Sequence, residues 1–297
     1  MSIEKIEAAT ARSTVRFPYS LLLVGPNLFL LAAILLFAAA AANAREGLAT
    51  PQSEAQGDSA VRRPRARSEQ ERVDFNAAYA VKGAAAEEQA SVDFANRYPT
   101  SELRRYLYSS AMLQYQRENN PAKMLAMGER VLALDPDNPL AMVLTATALA
   151  DSLGDHDRDR EKKINAIKHN ATRAIQAAEA GYSEVSPGAP IYKTTLQSMA
   201  YSALGIMKLK TGDDAGAEKD LKTATELAKI RPDGYVWYHL ALAQDHRKKY
   251  AAALNSVQQA LQLASSDPEL QKLAEVENER LAGLAKGPRN GSPTEPQ

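Results

Sequence analysis

Residues 201–232 read YSALGIMKLKTGDDAGAEKDLKTATELAKIRP, and residues 237–268 read WYHLALAQDHRKKYAAALNSVQQALQLASSDP. A shift of 36 residues lays Tyr201 on Trp237, Leu204 on Leu240, Gly205 on Ala241 and Ala217 on Ala253. The same shift lays Leu221 on Val257, Ala224 on Ala260, Leu227 on Leu263 and Pro232 on Pro268. Alanine is common in this chain, so the aromatic, leucine and proline matches carry the signal. A period of this size marks stacked supersecondary units that bury their apolar faces only against one another.

Composition agrees with that reading. Hydrophobic residues make up 45% of the 297, much of it alanine, and aromatic residues only 6%. Alanine favours helix and lets helices approach closely, while burying little area per residue. β-branched runs are scarce, so an all-α protein is expected. Lys5, Arg12 and Arg16 oppose Glu4 and Glu7 before residue 45, which leaves 33 basic and 34 acidic residues in the remainder. Such a balance sets up no long-range field toward nucleic acid, and no nucleic-acid partner is expected. The chain has no cysteine, which excludes disulfides, thiolate metal sites and thiol catalysis.

The first 18 residues are basic, and an apolar stretch follows over 19–43, interrupted at Gly25-Pro26-Asn27 and densest over 28–42. It ends at Ala42-Asn43-Ala44. A basic start, an apolar block and small residues at Ala42 and Ala44 have the order of a secretory signal cleaved after Ala44. The alternative is an uncleaved transmembrane anchor over 19–43, since about 20 apolar residues span a bilayer. Positive charge ahead of the segment predicts a cytoplasmic N-terminus. On either reading, residues after 45 are expected outside the cytoplasm, periplasmic or extracellular. Residues 45–73 hold Pro51, Gly57, Pro64 and the cluster Arg62, Arg63, Arg65, Arg67 without apolar periodicity. No aromatic interleaves the arginines, so this reads as a flexible, solvated linker.

From Asp74 to 285 the pattern is helical. Phe75, Tyr79 and Val81 predict a short helix, and 85–97 a second that stops before Pro99, because the residue ahead of a proline is pushed out of the α region. Further helices are expected from Glu102, over 122–134, over 140–153 and over 164–178, with Asn138 as an N-cap and Pro139 in the first turn. The charged run at 154–163 reads as a solvated loop and helix start. Asp155, His156, Asp157 and Asp159 lack the glycine turn and terminal glutamate of a calcium loop. In the first clear repeat, Gly212 closes one helix and Asp213 caps the next. A last helix over 269–284 is expected to cover the repeat end with Leu270, Leu273, Val276, Leu281 and Leu284, leaving a disordered tail at 286–297.

The order Trp237, Leu240, Ala241, then Tyr250, Ala253, Val257, Ala260 resembles the tetratricopeptide repeat. Tyr201, Leu204, Gly205, Gly212, Ala217, Leu221 and Ala224 resemble it equally well. Pro232 and Pro268 fall later than is usual in that family, which gives the spacing of 36. The resemblance is clearest over 198–232 and 234–268 and degenerate over 101–136 and 137–180. It implies a right-handed solenoid of antiparallel helix pairs with a C-terminal capping helix, and a concave groove lined by the first helix of each pair.

The function this implies is a non-catalytic protein- or peptide-binding scaffold acting outside the cytoplasm, with no cofactor. A membrane-tethered envelope assembly or maintenance factor is the alternative. Candidate groove positions are Tyr106, Ser109, Leu113, Met199, Ser202, Ile206, Tyr235, Tyr238 and Leu242, an apolar, tyrosine-rich set suited to an extended segment. An enzyme is not expected: HExxH, GxSxG and phosphate-loop patterns are missing. His239 and His246 lie seven apart, so about 10 Å separates their Cα atoms, too far to share an ion easily.

Overall fold

The computed structural model describes residues 65–180 and 190–286. The expected signal or anchor over 1–44, the linker as far as 64, the loop at 181–189 and the tail from 287 lie outside the described residues. Within them the chain is all-α, a succession of eleven helices. α1 is Glu69–Ala80, α2 Ala84–Arg97, α3 Arg104–Arg117, α4 Pro121–Leu134 and α5 Pro139–Asp151. α6 is Arg160–Glu179, α7 Pro190–Lys210, α8 Asp214–Leu227, α9 Gly234–His246, α10 Tyr250–Leu263 and α11 Pro268–Ala285. Each helix packs on the next in sequence, and α5 also packs side by side with α7.

Local chemistry sets the boundaries. Asn120, Asn138, Asp213, Asp233 and Asp267 each accept a backbone N–H of the following first turn, at Lys123, Ala141, Gly216, Tyr235 and Leu270 respectively. Pro121, Pro139 and Pro268 fill first-turn positions where no N–H is needed. α1 begins five residues earlier than the expected start at Asp74, because the Ser68 hydroxyl accepts Glu71 N–H at 3.1 Å. That end is written in a polar cap and acidic residues, and apolar periodicity does not reveal it.

Three connections share one geometry. Asp213 N–H donates to Lys208 O, Lys249 N–H to Gln244 O and Asn120 N–H to Tyr115 O, each at 2.9 Å. The residue before each donor has positive φ: Gly212 (82°), Lys248 (59°) and Asn119 (52°). Each N–H of that residue in turn reaches the carbonyl three back, at Leu209, Asp245 and Gln116. This is the paired hydrogen bonding of a Schellman turn, which satisfies the last carbonyls of one helix while reversing the chain. The pair α3–α4, degenerate in sequence, therefore turns as α7–α8 and α9–α10 do.

Close helix crossings need small residues. A Cβ at Gly205 would lie 2.5 Å from Leu221 Cγ, so α7 and α8 meet at a distance only glycine permits. Ala217, Ala224, Ala253 and Ala260 are fully buried along the same seams. The main core runs from Ala84 to Ala243, with α5 buried along most of its length. Two smaller clusters close the ends: Phe94, Leu103 and Leu107 with Phe75 and Tyr79, and Tyr235, Tyr238, Ala241, Val257 and Leu270. α9 faces the main core with Val236, Leu240 and Ala243 and the C-terminal cluster with its other side. In α11, Leu270 and Leu281 are buried and Leu273 partly so, but Val276 is 60% and Leu284 42% exposed. The expectation that all five cover the end is corrected: Val276 and Leu284 face solvent.

Candidate functional groove

By the 36-residue offset, the start of α9 at Gly234 corresponds to Ser198, yet α7 begins at Pro190. Two extra turns, about 12 Å of helix, therefore extend α7 beyond its counterpart. They carry Ile191, Thr194 and Thr195, and form one wall of a groove open to solvent. The facing wall is the end of α8 and the turn after it, through Leu227, Ala228, Ile230, Arg231 and Asp233. Ser198, Met199 and Ser202 on α7, Tyr235 and Val236 on α9, Thr147 on α5 and Gln116 on α3 complete the lining. The first helices of four successive pairs thus contribute to one surface.

The polar groups here are mostly hydroxyls committed to the backbone. Thr195 Oγ1 donates to Ile191 O at 2.7 Å, Thr194 Oγ1 to the same carbonyl at 3.1 Å, and Ser198 Oγ to Ala224 O on α8 at 2.9 Å. Thr147 Oγ1 is buried without a hydrogen-bond partner. Asp233 accepts Tyr235 N–H at 2.8 Å as the α9 cap, and burial raises its pKa.

Of the nine candidate positions, Met199, Ser202 and Tyr235 line this groove. Leu113 and Ile206 are buried in the main core, and Tyr238 in the C-terminal cluster with Leu242 packed on it. Tyr106 is half-buried against the N-terminal cluster, with the Arg105 guanidinium 5.0 Å from its ring centre, and Ser109 is half-buried on α3. Tyr235 is itself deep: burial, with the Asp267 carboxylate beside it, pushes its hydroxyl far above the usual tyrosine range. Burial pushes Tyr238 up to about 12. The contributions of Gln116, Thr147, Ile191 and Ile230 were not anticipated. The one available signal was the apolar and threonine pattern running back to Ile191, ahead of the repeat start at 198.

The histidines separate. His239 is buried, its Nδ1 2.8 Å from Tyr235 O; a carbonyl only accepts, so Nδ1 carries the proton. Burial pushes its pKa down to about 4. His246 Nδ1 lies 2.9 Å from Asp214 at the surface. Beyond the groove, Lys210 on α7 donates to Ala150 O and Asp151 O at the end of α5, while Arg160 donates to Lys210 O at 2.8 Å. Burial pushes Asp151 up to about 7 against the pull of Lys210, and lowers Lys210. Among the described residues no three His, Asp or Glu side chains gather as metal ligands would, and no helix is long and apolar enough to cross a membrane.

No protein-family model matches the chain, and no curated protein does. Among solved structures it is similar to TTC0263, a thermophilic TPR protein of Thermus thermophilus, at 15% identity and a TM-score of 0.44 over 73% of this chain and 99% of that one. It is also similar to the MamA RS-1 ArsTM double mutant, at 15% identity and a TM-score of 0.37 over 63% of this chain and 97% of that one. At TM-scores under 0.5 these likenesses are loose, and the assignment of an all-α helical-repeat fold rests on the chain's own turns, seams and helix order.

Proposed function

We propose that this chain is a non-catalytic scaffold that holds a partner protein or peptide in the groove between the α7 extension and the α8–α9 turn. One observation carries the reading: side chains from α3, α5, α7 and α9 converge on a single solvent-open surface. Three of its hydroxyls donate to backbone carbonyls, so they brace helices rather than stand beside a base as nucleophiles do. Export, or tethering through 19–43, is the location that fits the N-terminal sequence. N-terminal sequencing of the mature protein separates the two: Arg45 first means cleavage, and an intact apolar segment means an anchor.

Site-specific photo-crosslinking tests the groove. A photoreactive residue at Met199 is expected to trap a partner, and the same residue at Lys222, exposed on α8, is not. Equal trapping at both positions, or trapping at Lys222 alone, contradicts the proposal.

A further inference from the structure

We infer that Lys210 and Arg160 close a clasp across the ends of α5 and α7 that is tight in mild acid and works loose as pH rises toward 7. Asp151, beside the clasp, is the group that drives the change.

Geometry defines the clasp. Each cation reaches past its own helix to carbonyls near the C-terminus of another, where a helix leaves its last carbonyls without internal partners. Lys210, the last residue of α7, donates through Nζ to Ala150 O and Asp151 O. Arg160, the first residue of α6, donates to Lys210 O at 2.8 Å and to Gly154 O at 3.2 Å. The end of α5, the loop at 152–159, the start of α6 and the end of α7 are thus tied at one point. α7 packs on both α5 and α6, so this point fastens the first six helices to the last five.

Charge makes it sensitive to pH. Lys210 on α7 and Asp233 at the cap of α9 act on the Asp151 carboxyl. Asp155 and Asp157 of the loop act on Lys210, which in turn acts on His239 of α9. Burial and the Asp233 charge push Asp151 up to about 7 against the pull of Lys210. Two of the ammonium protons are spent on carbonyls, which limits that pull. Burial also lowers Lys210 and raises Asp233. Lys163, bonded at 2.8 Å, holds Asp157 below the usual range, and burial pushes His239 down to about 4. The closed clasp therefore favours a protonated Asp151, whereas an open one lets the carboxylate reach water and ionise near its ordinary 3.8. Closure weakens as pH rises from about 4 to 7 and then levels off.

The test is amide hydrogen exchange on the full chain from pH 5 to 7.5, corrected for the intrinsic rate. The reporters are Ser152 N–H, bonded to Ala148 O at the end of α5, and Thr211 N–H, bonded to Met207 O at the end of α7. Both are expected to open about tenfold more per pH unit between 5 and 6.5. Both are also expected to exchange at least tenfold faster than the slowest amides of the domain, which report complete unfolding. Asp151→Asn should flatten the pH profile, and Lys210→Met should raise opening at pH 5 at least tenfold, with circular dichroism checking that each variant folds. A flat wild-type profile, or an Asp151→Asn variant that keeps the wild-type slope, overturns the inference. Reporters that exchange only with the slowest amides overturn it too, since the ends of α5 and α7 would then open only when the whole domain does.

Discussion

Lys208 Nζ donates to the Asp220 carboxylate at 2.7 Å, joining α7 to α8. Thirty-six residues on, the same two positions are Gln244 and Ser256, whose side chains hydrogen-bond at 2.7 Å between α9 and α10. One repeat fastens its helices with an ion pair and the next with a neutral bond, at the same place and the same length.

The two fasteners are therefore exchangeable as pairs and not singly. Asp220→Ser alone strands Lys208 beside an apolar seam and is expected to cost about 1–3 kcal/mol. Adding Lys208→Gln is expected to recover most of that loss. Urea unfolding of both variants checks it, and a double variant no better than the single one would contradict the equivalence of the positions.

Gly205 and Leu221 show the same compensation in volume, since the corresponding pair is Ala241 and Val257. Gly205→Ala drives a methyl into Leu221 and is expected to cost about 1–3 kcal/mol, the usual penalty of overpacking. Combined with Leu221→Val it is expected to cost less than the sum of the two single changes. Strict additivity in a double-mutant cycle would mean that the two side chains do not meet.

Lys248 occupies a left-handed conformation (φ 59°) where the preceding unit has Gly212. Lys248→Gly removes the Cβ conflict at an exposed turn and is expected to stabilise the fold by about 0.5–1 kcal/mol. For a domain of this size that raises Tm by roughly 1–4 °C. Calorimetry decides it; a lowered Tm would place the strain elsewhere.

The buried groups give stability a pH dependence of two signs. His239 has its pKa pushed down to about 4 from an ordinary 6.5, so the stability held in its neutral form is present above pH 6.5 and lost as pH falls toward 4. Asp151, pushed up to about 7, does the reverse: its contribution is present at acid pH and lost as pH rises through 7. Relative to the wild type, His239→Gln is expected to gain stability steadily from pH 6.5 down to 4.5, and Asp151→Asn to gain it from about pH 4 up to 7 and then level off. Parallel curves for wild type and either variant would show that the group does not titrate differently on folding.

The repeat was legible because its identity lay in size and apolarity, which survive a fixed shift of 36 residues: Tyr201 and Trp237, Leu204 and Leu240, Pro232 and Pro268. The Lys208–Asp220 and Gln244–Ser256 equivalence was not, since charged and neutral residues look unrelated until the structure sets them side by side. Position on a first helix also did not tell groove from core. Tyr235 and Tyr238 read as groove anchors, yet α11 packs over them, with Leu270 in the same cluster. Removing both side chains would therefore cost core stability, and cannot serve as a clean test of binding. The groove itself comes from helix length, where α7 overruns α9, and from neutral side chains as far apart as Gln116 and Val236, which carry no periodic signal.

The central claim is that the inner helices form the binding face. A scan of photoreactive residues over inner and outer helices tests it most directly. Positions Met199 and Ser202 in the groove are expected to trap a partner. Trapping on the outer helices α4, α6 or α8, with none in the groove, would contradict the account.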